Sequence, residues 1–239
     1  MAEFASWQAY QYFSEAVIKE TRYIFDSANK HFLECVVATS ASRQFDMPVG
    51  TQLWRAQLHE PNQKVWQAKE PFPAERMKPK STCPEGRLNP KNIPCLYLAA
   101  DPQTAMSEVR PWVGAIGTLA EFSVRRKLRL VNCAERLSTG IPLKWFAGIE
   151  PSREEREHCV WAKMNGSFAE PMTSTDTTAD YAPTQVLAET FRNAGFDGVT
   201  YNSSVASGMD IALFDLASAD VVDRKIFHTR GLHYEFDVA

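Results

Sequence analysis

Between residues 4 and 42 the apolar side chains Phe13, Val17, Ile24, Phe25, Phe32, Leu33 and Val36 recur at helical intervals, and no Pro or Gly intervenes before Pro48. That spacing predicts one or two helices ahead of the main fold. The pattern then changes. Residues 50–56 read as a short strand carrying Arg55, and residues 61–85, punctuated by Pro61, Pro71, Pro73, Pro79 and Pro84, read as a long loop. Long loops in compact domains commonly serve function. Residues 93–99 form a brief apolar strand. Asp101 followed by Pro102 then marks a helix start, because Pro lacks the N–H that the first turn would leave without a partner. Pro111 ends that helix early. Strands are predicted at 116–124 and 128–132, and the capping box Ser152-Arg153-Glu154-Glu155 opens a helix running towards Met164. Residues 184–194 form a further helix stopped at Gly195. Short strands follow at 199–201 and 211–214, and the alternation of Leu232, Tyr234, Phe236 and Val238 predicts a half-buried strand in the tail.

Helices and strands alternate without a regular βαβ repeat, which favours an α+β fold. Residues 1–47 are expected to be an N-terminal helical extension and residues 48–239 the main domain. At 239 residues, with 44% hydrophobic and 23% charged positions, the chain has globular composition and can bury a substantial core. A net charge of -3 argues against a protein that binds nucleic acid by neutralising many phosphates. No apolar run approaches the roughly 20 residues that span a bilayer, and the N-terminus has no basic run before an apolar core. Five dispersed cysteines without a Cys-x-x-Cys pair fit reduced thiols and a cytoplasmic setting. The five histidines are equally scattered, so no metal is expected.

Three consecutive segments carry the candidate chemistry: Gly86-Arg87-Leu88-Asn89-Pro90, Pro94-Cys95-Leu96-Tyr97-Leu98-Ala99, and Asp101-Pro102-Gln103-Thr104-Ala105-Met106-Ser107-Glu108. Together they resemble the signature of the RES family, named for its Arg, Glu and Ser. Leu53-Trp54-Arg55-Ala56 is similar to the family's early arginine strand. Gly195-Phe196-Asp197-Gly198-Val199-Thr200-Tyr201-Asn202-Ser203 is similar to its late serine motif, and Tyr181, Thr184, Gln185 and Glu189 precede that motif on a helix. The resemblance spans about residues 48–227. It implies an ADP-ribosyltransferase-like mixed sheet core with flanking helices, and NAD⁺ as a substrate cleaved between nicotinamide and ribose, by water or by phosphate. It further implies a toxin held by a helix-turn-helix antitoxin or an immunity protein. The site residues it implies are Arg55, Arg87, Tyr97, Glu108 and Ser203. The chain departs from the family at Asn202, where Pro is common, and at Asp210, where Asn is frequent, which leaves Ser203 and Ser204 as alternatives for the site serine.

The residue types suit that chemistry. Breaking the nicotinamide bond develops an oxocarbenium-like ribose, and nicotinamide departs neutral, so no strong acid is needed. Glu108 would hold ribose hydroxyls and face the growing positive charge. Arg55 and Arg87 would fork onto the pyrophosphate. Tyr97 would offer its ring to the nicotinamide, and Ser203 a hydroxyl to phosphate or ribose. Singly, each has a plainer role: Tyr97 as a core aromatic, Glu108 as a surface charge, Arg87 as a loop cation, Arg55 in an ion pair, Ser203 in a turn. The joint pattern favours the site. Gln185 and Glu189 are assigned supporting roles at most. Two other functions fit the same residues: an ADP-ribosyltransferase acting on a macromolecule, and a silent nucleotide-binding module.

Overall fold

The computed structural model describes residues 2–60, 70–134, 141–170 and 178–233. Its helices are α1 (Ala9–Lys19), α2 (Ser27–Ser40), α3 (Pro102–Glu108), α4 (Leu143–Phe146), α5 (Arg153–Ala169) and α6 (Ala182–Asn193). The strands are β1 (Gln44–Met47), β2 (Gln52–Leu58), β3 (Leu96–Ala99), β4 (Ile116–Val124), β5 (Leu128–Asn132), β6 (Gly198–Asn202), β7 (Met209–Leu213) and β8 (Ala219–His228). They form one sheet in the order β1-β5-β6-β7-β3-β2-β4-β8, antiparallel throughout except for the β5/β6 pair. This is the α+β class that the pattern predicts, with the mixed sheet and flanking helices that the resemblance implies.

Local chemistry sets the helix starts. The Asp26 carboxylate accepts from Asn29 N–H at the head of α2, and that of Asp101 accepts from Thr104 N–H at the head of α3. Ser152 and Glu155 form both halves of the capping box that begins α5. Caps of this kind are worth about 1 kcal/mol each. α5 runs past Gly166 to Ala169 rather than fading near Met164, because Phe168 on its last turn is buried beside Tyr201, ring centres 5.9 Å apart.

Two cores lie on the two faces of the sheet. One face carries α1, α2, α5 and α6, whose Phe13, Phe32, Val36, Trp161, Met164 and Phe191 bury against Val131, Val199 and Ala212 of the strands. The other is lined by strand residues almost alone: Leu53, Leu96, Leu98, Ala120, Phe122, Leu130, Ile211 and Leu213. β7 shows the period-2 logic, with Ala212 towards the helices and Ile211 and Leu213 away from them. The first two helices belong to the main core. Phe13 stacks on Phe32 at 4.5 Å, and the Trp161 indole N–H of α5 donates to Thr39 Oγ1 of α2 at 3.1 Å.

β1 and β8 were not expected from the sequence. Both are edge strands, β8 carrying Asp220, Asp223, Arg224 and Lys225 on a largely exposed ladder beside β4. Charged, short-buried edges discourage further strand pairing, and for the same reason they lack the apolar alternation by which strands are read. The strand expected in the tail falls mainly on residues 234–238, outside the described residues. All five cysteines are buried, unpaired thiols, and no helix among the described residues is long and apolar enough to cross a membrane.

Candidate active site

The sheet has a seam at its centre. β2 pairs with β4 over its whole length, but meets β3 only where Trp54 lies opposite Ala99. The two strands therefore splay, and α3 packs over the junction through Ala105, which is buried with Ala56 and Ala99. A cavity of about 480 Å³ opens there, lined among others by Arg55, Arg87, Tyr97, Glu108, Tyr201 and Asp210. That volume is in the range of small-molecule sites. Four of the five residues singled out in the sequence line this one cavity, although they come from β2, a loop, β3 and α3.

Arg87 sits at the tip of a tight loop that is closed by hydrogen bonds between Gly86 and Asn89. The loop is held from two sides. Tyr97 of β3 accepts from Leu88 N–H at 3.0 Å and donates its hydroxyl proton to Asn89 Oδ1 at 2.8 Å. From α6, Gln185 donates to the Gly86 and Asn89 carbonyls at 2.9 and 3.2 Å, and Thr184 donates to the Arg87 carbonyl at 2.5 Å. Gly86 leaves little room at the base of the loop: a Cβ there would lie 2.7 Å from Asn89 Oδ1 and 3.1 Å from the Tyr97 hydroxyl. The loop thus delivers a guanidinium in fixed geometry. Arg87 Nη1 donates to the Ser167 carbonyl of α5 at 3.0 Å, while Nη2 is buried and has no hydrogen-bond partner among the described residues.

Arg55 Nη1 is buried in the same way, again without a partner among the described residues. Burial works against its charge, but a guanidinium stays protonated at any physiological pH. Buried donors are almost always satisfied. Arg55 and Arg87 thus bring two guanidinium groups to one cavity, each with a buried nitrogen that has no partner among the described residues. Burial likewise pushes the phenols of Tyr97 and Tyr201 upward, so both remain neutral hydrogen-bonding groups.

Across the cavity stands Glu108, the last residue of α3, with its side chain open to solvent on one side. Its Oε1 accepts from the Ser203 hydroxyl at 2.5 Å. Ser203 is buried, and its Oγ in turn accepts from the N–H groups of Val205 and Ala206 at 3.2 Å each, which polarises the hydroxyl towards the carboxylate. The two serines have separate places: Ser203 binds Glu108, while Ser204 is exposed and lines the cavity. Asp210 of β7 is buried in hydrogen-bond contact with Glu108, and this burial, together with the second carboxylate, pushes its pKa up to about 8.

Asp210, Tyr201 and Trp54 line the cavity without being marked as site residues by the sequence motifs, although Asp210 departs from the family pattern. Gln185, expected only as a supporting residue, and Thr184, named only in the family motif, are the clamp on the Arg87 loop. Glu189 is exposed away from the cavity. Among the described residues, no three His, Cys, Asp or Glu side chains converge as the ligands of a metal would.

Residues 52–237, most of the chain, match the family model of the RES domain. The chain belongs to the RES domain family. A solved structure similar to this RES domain is that of the M. tuberculosis MbcT–MbcA toxin–antitoxin complex, at 13% identity and a TM-score of 0.45 over 81% of this chain and 92% of that one. No curated protein matches the chain.

Proposed function

We propose that this RES domain cleaves the bond between nicotinamide and ribose in NAD⁺. The observation that carries the proposal is the pair of orphaned guanidinium nitrogens of Arg55 and Arg87, sharing one cavity with the Glu108 carboxylate. A dinucleotide has a pyrophosphate for the first and a cation-forming ribose for the second. In the reaction the C1′–N bond breaks and its electron pair leaves with nicotinamide, which becomes neutral. Glu108, steadied by Ser203, stabilises the positive charge that grows on the ribose. The acceptor then adds to C1′, either water with loss of a proton or inorganic phosphate. Residues that bind the acceptor decide between them, and the open side of the cavity admits either.

Purified protein incubated with NAD⁺, with and without phosphate, is expected to release nicotinamide in at least one condition. A folded sample that turns over nothing in both refutes the proposal. Glu108→Gln should lower turnover by at least about 100-fold, the usual scale for losing a transition-state electrostatic group, while NAD⁺ binding persists. The family resemblance extends the proposal to a toxin restrained by a partner protein, as in a toxin–antitoxin pair with a helix-turn-helix antitoxin. Growth arrest on expression of the wild type, absent with Glu108→Gln and relieved by the product of a neighbouring gene, is the expected pattern. Normal growth with active protein present would exclude it.

A further inference from the structure

The two carboxyl groups in contact at the seam are unlike in their surroundings. Asp210 is 7% exposed, whereas Glu108 opens to solvent. Glu108 already accepts a hydrogen bond from the Ser203 hydroxyl at 2.5 Å. The groups that face Asp210 can be named element by element. From α3 come Glu108 and, at its cap, Asp101, whose carboxylate is held as an acceptor by the Thr104 N–H at 2.8 Å and hydroxyl at 2.7 Å. From β6 comes Tyr201, directly opposite Asp210 in the ladder and itself a neutral phenol. From β3 comes Ala99, opposite on the other side. Arg55 and Arg87 line the same cavity. Burial first, and the neighbouring Glu108 carboxylate second, disfavour the charged form of Asp210.

We propose that Asp210 is a positioning residue: it keeps its proton and donates it in a hydrogen bond to Glu108, so that Glu108 is clamped between two neutral O–H donors, Asp210 and Ser203. The inference rests on the reading of Glu108 as the carboxylate that faces the ribose cation. No proton leaves the pair during the reaction. The clamp fixes the direction of the carboxylate and leaves it the single negative charge of the pair. Loss of the Asp210 proton would put a second anion against Glu108, push the two carboxylates apart and spoil that direction. Turnover of NAD⁺ is therefore tied to a group that titrates near the neutral to alkaline range, consistent with the rise of Asp210 to about 8.

Three measurements test this. In the wild type, kcat should fall above the Asp210 midpoint, by roughly tenfold per pH unit for a single essential proton. Asp210→Ala should lose turnover at neutral pH by about tenfold or more. Asp210→Asn, which donates an N–H in every pH range, should recover most of that loss and abolish the alkaline fall. A buried residue with only a packing role would give no such split between the two variants. An alkaline fall that persists in Asp210→Asn, or an Asn variant that is folded yet no better than Ala, overturns the proposal. The third measurement does not depend on activity: carboxyl ¹³C NMR of the free protein should show Asp210 titrating well above the ordinary carboxylate range, and moving down in Glu108→Gln. Titration of Asp210 in the ordinary range overturns the proposal whether or not NAD⁺ is cleaved. An unreactive wild type with the elevated Asp210 would instead refute the NAD⁺ reading and leave the shared proton established.

Discussion

Replacing Tyr97 with Phe separates two roles that the residue combines. The ring lines the cavity, and the hydroxyl pins the Arg87 loop by accepting from Leu88 N–H at 3.0 Å and donating to Asn89 Oδ1 at 2.8 Å. Leu88 and Asn89 are 1% and 4% exposed, so water cannot take over from the lost hydroxyl. One donor and one acceptor are left buried without that partner, at about 1–3 kcal/mol each. Phe is easier to bury than Tyr, which offsets part of the loss. Asn89 also keeps its donations to the Pro84 and Pro90 carbonyls, and Gln185 still holds the loop from α6. The net destabilisation expected is about 2 kcal/mol, a fall in Tm of roughly 4–8 °C for a chain of this size. Because the loop carries a guanidinium, its loosening should raise KM for NAD⁺ by about tenfold or more, with a smaller effect on kcat. Thermal or urea unfolding gives the first quantity and initial rates of nicotinamide release the second. A Tyr97→Phe protein with wild-type stability and wild-type KM, alongside an inactive Tyr97→Leu, would show that the ring acts alone and that the loop needs no hydroxyl.

Arg87→Lys should weaken NAD⁺ binding by about tenfold or more while the fold is kept, since a lysine ammonium lacks the planar fork whose Nη1 holds the Ser167 carbonyl while Nη2 stays apart; calorimetric titration with NAD⁺ checks it. Gly208→Ala should lower both stability and activity, because the added Cβ would run into Thr104 Oγ1 and Asp101 Oδ2 at the head of α3 and displace the helix that ends in Glu108; unfolding and rate measurements on the same sample would show it. Asp210 also makes stability depend on pH. Its pKa in the folded protein is raised from the ordinary 3.8 to about 8, so the folded state holds a proton that the unfolded chain has released. Its contribution is fully present below about pH 4, declines as pH rises, and is exhausted near pH 8, at about 1.4 kcal/mol per unit of difference at most. Urea midpoints measured from pH 5 to 8 should fall less steeply in Asp210→Asn than in the wild type; equal slopes would contradict the assignment.

Much of the frame was legible because its signals are local. The strands Ile116–Val124 and Leu128–Asn132 are found where alternation places them, and the caps at Asp101 and Ser152 work as their residue types predict. Edge strands were not legible: Gln44–Met47 and Ala219–His228 bury too few side chains to impose a period. Nor was the extension of α5 beyond Gly166, which depends on a contact between Phe168 and a strand over thirty residues away in the chain. At the site, the chemistry of Arg87 and Glu108 could be read from their motifs, whereas the hydroxyl of Tyr97 and the proton of Asp210 take their meaning from neighbours on other elements. The seam between β2 and β3 has no signature at all in one dimension, because it is a failure of two strands to pair.

Similarity to relatives begins at residue 52, yet the packing does not begin there. α1 and α2 lie over the same face of the sheet as α5 and α6, and Tyr10 of α1 is in hydrogen-bond contact with Ser167, whose carbonyl holds Arg87. A border drawn where relatives stop resembling one another would cut through a continuous interior. A shortened chain starting at residue 48 would leave Trp161 and Phe191 facing water, where a core aromatic stands to lose roughly 3–5 kcal/mol. Such a fragment should accumulate as aggregate, and its loss of activity would say nothing about chemistry. The stretch that matches the family and the stretch that shares one core are, in this chain, of different length.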